Sequence, residues 1–286
     1  FGRGIVETEE DFGLQGALPS HPELLDWLAV EFRDSHNWSH KELCRTIVLS
    51  SAYRQSAVAG PETLATDPDN RLWGRSGRIR LSAETIRDQA LAVSGLLSDR
   101  IGGPSAMPPQ PDGIWRTTYS SLKWETPQGD ERYRRGIYTF IRRTSPYPSM
   151  LTFDGGSREV CLIRRIRTNT PLQALVTLND PVFVEAAGTL AQTAITRHPD
   201  SDSERLSAMF RAALIRAPDE TEIQRLSNLY RDVLNDFQSR PGAAAEFLAS
   251  ANVQTNELSD QQQCRLAASS LVASVILNLD ETVSRP

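Results

Sequence analysis

Lysine is nearly missing from this chain. Only Lys41 and Lys123 occur, so twenty-nine of the 31 basic residues are arginine. With a formal net charge of -5, so lysine-poor a chain argues against a nucleic-acid partner, which calls for a broad basic surface. The cysteines are Cys44, Cys161 and Cys264, odd in number and far apart. No C-x-x-C, C-x-x-C-H or zinc-ligand spacing is present, so neither a metal nor covalent haem is expected within the chain, and three separate buried thiols are expected instead. Gly-x-Gly-x-x-Gly, the Walker sequence, H-E-x-x-H and G-x-S-x-G are all absent, which removes the usual support for nucleotide binding, zinc proteolysis and serine hydrolysis. The longest apolar stretch, Leu266 to Leu279, is too short and serine-rich for a membrane span. The chain opens F-G-R-G-I-V, without Met or a basic and apolar leader, and reads as a piece of a longer protein.

What is present is a concentration of arginine. Nine lie between Arg132 and Arg167, against only Asp154 and Glu159, a local balance of +7. A guanidinium is a planar fork that meets carboxylate, sulfate or phosphate through two parallel hydrogen bonds, which a lysine cannot do. The cluster therefore predicts either an anion-binding surface or an internal clasp paired with the chain's many carboxylates.

With 286 residues, 39% of them hydrophobic, the chain can bury a substantial core. Residues 1–19 are irregular and predict an extended leading segment; residues 20–286 predict a single helical domain with an irregular or β insertion at about 100–160. Ser20 with Glu23 and Ser39 with Glu42 have the spacing of capping boxes, each opening a helix. Ser82 opens a third, carrying Ile86, Ala90, Val93 and Leu97. Gly102, Gly103 and Pro104 end that pattern. Between Trp115 and Tyr147 aromatic and polar residues mix, and a short strand is expected over Gly136–Arg142, with a hairpin partner between Trp115 and Trp124. Thr170-Pro171 and Asp180-Pro181 each predict a helix start with proline in the first turn. The last third alternates as a helix over 204–216, a second that Asp219 and Glu222 begin and that runs to 234, a loop over 252–263, and a closing helix over 266–279. The fold class is mainly α, with a small β-hairpin in the middle of the chain.

Several residue sets offer chemistry. Arg142, Arg143, Arg158, Arg164 and Arg165, with Tyr138, Asn169 and Thr170, could bind an anion. The helix starts nearby would add free N–H groups. Asp154 and Glu159 flank a Gly-Gly turn and could divide acid and base roles, or Asp154 could simply fix the turn. His36 and His40 stand four apart, but Asn37 and Ser39 between them signal a loop and an N-cap, so no metal site is expected there.

The segments S-H-P-E-L-L-D-W-L-A (20–29), S-S-A-Y-R-Q-S (50–56), L-S-A-E-T-I-R-D (81–88), F-D-G-G-S-R-E-V-C (153–161) and R-R-I-R-T-N-T-P-L-Q-A-L-V-T-L-N-D-P-V-F (164–183) resemble domain of unknown function 1553, a planctomycete-type family. The resemblance extends from Ser20 to about Glu281. It implies a periplasmic or secreted parent protein that carries an upstream companion domain and a cytochrome c-like domain with haem c. It also implies a parent protein that acts on or near polysaccharide; taken with the arginines and aromatics, the expectation is a C-terminal module that binds, and oxidises or cleaves, an acidic or sulfated polysaccharide, or else a module whose same surface docks the companion domain or the cytochrome without doing chemistry. The family supplies no catalytic residues to carry over.

Overall fold

The computed structural model describes residues 1–111, 113–114, 123–156 and 158–285. The protein is mainly α, and the one two-stranded antiparallel pair among the described residues joins segments far apart in the chain. The residues form two compact units: the first is 1–80, 162–164 and 284–286, the second 81–161 and 165–283.

In the first unit, α1 (Pro22–Val30) runs into a wider turn, Glu31–Ser35, followed by α2 (His40–Leu49), α3 (Ser51–Arg54) and α4 (Pro61–Thr66). Ser39 caps α2 through the Glu42 N–H, as its spacing predicts. The Ser20 box does not form. Helix α1 begins at Pro22 behind His21, and the Ser20 hydroxyl instead donates to the Ile5 carbonyl. His36 and His40 also part company: His36 Nε2 pairs with the Thr46 hydroxyl at 3.1 Å, and the His40 ring tilts against Phe32. Strand β1 (Ile79–Arg80) pairs antiparallel with β2 (Ser284–Arg285). The Arg285 guanidinium lies 3.9 Å above the Tyr53 ring and donates to the Tyr53 carbonyl and the Ser76 hydroxyl. None of α1 to α4 contains a fully buried residue.

The second unit holds the hydrophobic core. Its helices are α5 (Ala83–Ser94), α6 (Pro148–Thr152), α7 (Pro171–Asn179), α8 (Pro181–Arg197), α9 (Asp202–Leu214), α10 (Glu220–Ser239), α11 (Ala243–Ser250), α12 (Asp260–Leu277) and α13 (Asp280–Val283). Helices α8 and α12 pack against each other at its centre. Both are lined with small residues: Ala186, Ala187, Ala191 and Ala194 on α8, and Ala267, Ala268 and Ala273 on α12, all buried. Small side chains let the backbones approach closely, and at Gly188 an added Cβ would stand only 2.6 Å from Val253 Cγ2. The serines that make α12 look polar are buried without loss, because Ser269 and Ser270 donate to the carbonyls four residues back. Helix α12 also begins inside the Gln-rich stretch expected to be loop, since Ser259 and Gln262 form a capping box. Helix α11 was not signalled by the sequence pattern.

The strand expected over Gly136–Arg142 is not formed. Residues Gly136–Tyr138 make a turn of 3-10 helix, followed by one isolated parallel bridge between Thr139 and Ala106. Side chains of α5 hold the backbone that leads into this stretch and its first N–H, while among the described residues Ala106 alone pairs with the Tyr138 carbonyl and the Phe140 N–H. Arg87 donates to the carbonyls of Arg134 (2.6 Å) and Arg132 (3.4 Å), and the Asp88 carboxylate accepts from the Gly136 N–H at 2.6 Å. The hairpin partner expected between Trp115 and Trp124 falls mostly on residues 115–122, outside the described residues.

Candidate functional site

The signature stretch is built around Asp154. Helix α6 ends at Thr152, and the chain turns back through Asp154, which adopts a left-handed φ of 60°. The Gly155 N–H then donates to the Met150 carbonyl at 2.7 Å, where an added Cβ would collide with that same carbonyl at 2.6 Å. From this turn the Asp154 carboxylate accepts the Thr168 N–H at 2.7 Å, the Thr168 hydroxyl at 2.9 Å and the Gln173 side-chain amide at 3.3 Å. Both ends of the loop between Asp154 and Thr168 are therefore pinned at one point.

Gln173 is the hub of this clasp. It is 0% exposed, and besides Asp154 it donates to the Thr152 carbonyl (3.0 Å) and the Thr168 hydroxyl (3.1 Å). One turn on, buried Thr177 donates to Asn278 Oδ1 at 2.6 Å. Thr170 closes the N-terminus of α7 in a capping box with Gln173. Helix α7 thus turns its polar side inward, and Leu172 and Leu175 are left 65% and 57% exposed.

The predicted arginine cluster is divided by the fold. Arg165 pairs with Glu84 at 2.8 Å; burial pushes the Glu84 carboxyl up, but the hydrogen bond and charge of Arg165, with the Glu84 N–H and the Ser82 hydroxyl, together outweigh it and leave the group below its ordinary value. Arg142 donates to the Thr144 hydroxyl at 3.1 Å. Arg143, Arg158, Glu159 and Asn169 lie on the exposed surface, and Arg158 has a left-handed φ of 64°. Arg164 is exposed and falls within the first unit. The face of Tyr138 is taken by the Arg134 guanidinium, 3.8 Å from the ring centre, and its hydroxyl accepts the Gly102 N–H. Arg134 is itself buried and donates to the Pro104 and Gly102 carbonyls.

Cys161 is exposed rather than buried, as is Cys44, and all three cysteines are free thiols. Apolar neighbours in sequence do not bury a thiol here because Val160 and Leu162 are exposed with it. With single, separated cysteines the chain's residues do not fit covalent attachment of haem c. Among the described residues no group of three or more His, Cys, Asp or Glu is placed to hold a metal, and no helix is long and apolar enough to cross a membrane.

Two further polar centres are buried; the first escaped the sequence reading, and the second lies at the helix start predicted at Asp180-Pro181. Glu185 on α8 accepts from Arg132 (3.1 Å), the Tyr133 hydroxyl (2.8 Å) and the Asn252 amide (2.5 Å). Burial, reinforced by Glu185, pushes the Tyr133 hydroxyl up to about 12. Glu185 is the one acidic residue in the stretch P-V-F-V-E-A-A-G-T-L, and that isolation was the signal available. The second centre is Asp180, the N-cap of α8, which accepts the Val182 N–H at 3.0 Å. Burial pushes its carboxyl up to about 6, against the opposing pull of the Val182 N–H, the Ser149 hydroxyl and Arg87.

A raised carboxyl value favours the protonated folded state, so this contribution to stability is complete below the ordinary value of 3.8 and is lost as pH rises through about 6. Asp180→Asn keeps a cap acceptor and removes the ionisation. The melting temperature of the variant should gain on that of the wild type across that window and hold its gain above it. Parallel melting profiles across the window would contradict the assignment.

No curated protein and no solved structure matches this chain. A family model described as protein of unknown function (DUF1553) matches residues 1–230, a span that includes the Asp154 clasp, α7 and the whole arginine stretch, and the chain belongs to that family.

Proposed function

We propose that this chain is a non-catalytic docking module of a larger periplasmic or secreted protein, holding the companion domain or the cytochrome c-like domain that the family resemblance implies upstream. The observation that supports this reading is α7, whose polar side is spent on the internal clasp while its leucines face solvent. An exposed row of leucine fixed in place by buried hydrogen bonds suits a protein partner. Hydroxyl-radical labelling of Leu172 and Leu175 tests it: labelling should fall at least threefold in the parent protein relative to this chain alone. Equal labelling in both would refute docking at α7.

The second reading is an acidic or sulfated glycan bound by Arg142, Arg143 and Arg158, with Asp154 and Glu159 moving protons. The exposure of Arg143 and Arg158 favours it. Against it, the ring face of Tyr138 that would stack on a sugar is covered by Arg134, and Asp154 is occupied by three donor groups. Titration with sulfated and neutral oligosaccharides at two salt concentrations separates the readings, since only a glycan site gives salt-sensitive binding of the sulfated series.

A further inference from the structure

We propose that the solvent side of α1 docks a basic amphipathic helix, which lays apolar side chains on Trp27 and Val30 and sets lysine or arginine against Glu23, Asp26 and Glu31. The surface belongs to the first unit and stands independently of the reading given for α7.

Helix α1, P-E-L-L-D-W-L-A-V, is apolar on more than one side, yet only one side is covered. Leu24 and Leu28, four residues apart, are half-buried. The solvent side holds Glu23, Asp26, Trp27 and Val30, and the two apolar members are 49% and 48% exposed. Residues three and four apart are neighbours on a helix surface, so register alone places the carboxylates beside the apolar pair. Trp27 lies four residues from both Glu23 and Glu31, Val30 lies four from Asp26, and Trp27 and Val30 are three apart. Glu23, Trp27 and Val30 thus follow the four-then-three spacing by which one helix seats against another. The nine residues of α1 and the five of the wider turn that continues it give a rod of about 20 Å, long enough to receive several turns of a partner helix.

Charge then selects the partner. No basic residue occurs from Pro22 to Phe32. Among the described residues Glu23, Asp26 and Glu31 form no ion pair, whereas Asp34 is already met by its neighbour Arg33 at 2.6 Å. Glu23 stands in the first turn, where the helix dipole favours a carboxylate; Asp26 and Glu31 lie beyond it and gain nothing from the dipole. Like charges three residues apart, as at Glu23 and Asp26, repel each other. An apolar pair enclosed by uncompensated carboxylates attracts a basic partner and repels an acidic one. A basic amphipathic helix covers the exposed apolar area and relieves the repulsion together.

Two synthetic peptides of about twenty residues, long enough to hold a helix, test the inference. They share a leucine stripe, and one carries lysine beside it where the other carries glutamate. Fluorescence anisotropy against the intact chain should show saturable binding of the lysine peptide, about tenfold or more tighter than the glutamate peptide at low salt. Trp27→Gln with Val30→Gln should weaken the lysine peptide about tenfold. Glu23→Lys with Asp26→Lys should reverse the preference, so that the glutamate peptide binds the tighter. All four positions are exposed, and circular dichroism checks that each variant stays folded. The charge reversal tests the inference even where the apolar variant unfolds. Equal binding of the two peptides, no binding of the lysine peptide, or a preference that the charge reversal leaves unchanged each overturns the inference. So does binding of the lysine peptide that survives Trp27→Gln with Val30→Gln, and so does capture by phosphatidylcholine vesicles through Trp27 in place of the peptide. None of these results bears on the shielding of Leu172 and Leu175, which tests α7 alone.

Discussion

Glu185→Ala should lower the unfolding free energy by about 3–5 kcal/mol, as measured by urea denaturation at neutral pH. The carboxylate is almost wholly buried on the central helix α8, and it is the common acceptor for Arg132, Tyr133 and Asn252. Truncation leaves the Arg132 charge, four-fifths buried, without its counterion, together with two unsatisfied donors and a void. That combination makes removal of one partner of a buried pair more costly than the pair itself is worth. A second readout tests the electrostatic part separately. Burial and Glu185 together hold the Tyr133 hydroxyl near 12, so in a folded variant its phenolate absorbance should appear at lower pH. Glu185→Gln preserves volume and an acceptor, and should lose less. If alanine and glutamine variants are equally stable to within about 0.5 kcal/mol, the buried charge is not what holds this centre together.

Gln173→Ala should cost about 2–4 kcal/mol. One side-chain amide serves three acceptors, the Thr152 carbonyl, Asp154 and the Thr168 hydroxyl, and its own oxygen faces the Thr170 N–H across the helix cap. Alanine removes all of these at a fully buried position. Gln173→Leu, which restores the volume but no donor, should recover little, because the loss is in hydrogen bonding. Gln173→Glu sets a second carboxylate against Asp154 and should be the least stable of the three, with its deficit shrinking in acid. Full recovery by leucine would show that packing, not the clasp, is what Gln173 supplies.

Much of the helical framework was legible in the sequence because local signals and burial agree there. Ser39, Ser82, Thr170 and Asp219 all cap where their spacing says they should, and the apolar rows of α5, α9 and α10 face the core. The failures share a cause: a group from elsewhere in the fold replaced the expected local partner. Arg87 and Asp88 hold the backbone that enters the stretch read as a strand at 136–142, and the Ile5 carbonyl takes the Ser20 hydroxyl expected to cap α1.

The candidate site was legible in its parts but not in its organisation. A count of charge along the chain cannot say which guanidinium turns inward. Arg134 is buried against Tyr138, Arg165 is paired with Glu84, and Arg143 and Arg158 remain outside. Nor does the spacing of Leu172, Leu175 and Leu178 reveal that they face out. Apolar periodicity ordinarily points to a core, and only the side-chain bonds of Gln173 and Thr177 reverse it.

The pairing of α8 with α12 also sets a sequence of events during synthesis. Helix α8 can meet α5, α7 and α9 before the chain is finished, but its packing against α12 must wait until residues 260–277 have been made. Strand β1 waits longer still, since its pairing partner is at 284–285. A nascent chain halted at 230, where the family match ends, would therefore hold the complete Asp154 clasp yet lack the helix that fills the centre of its unit, and would be exposed to aggregation and proteolysis.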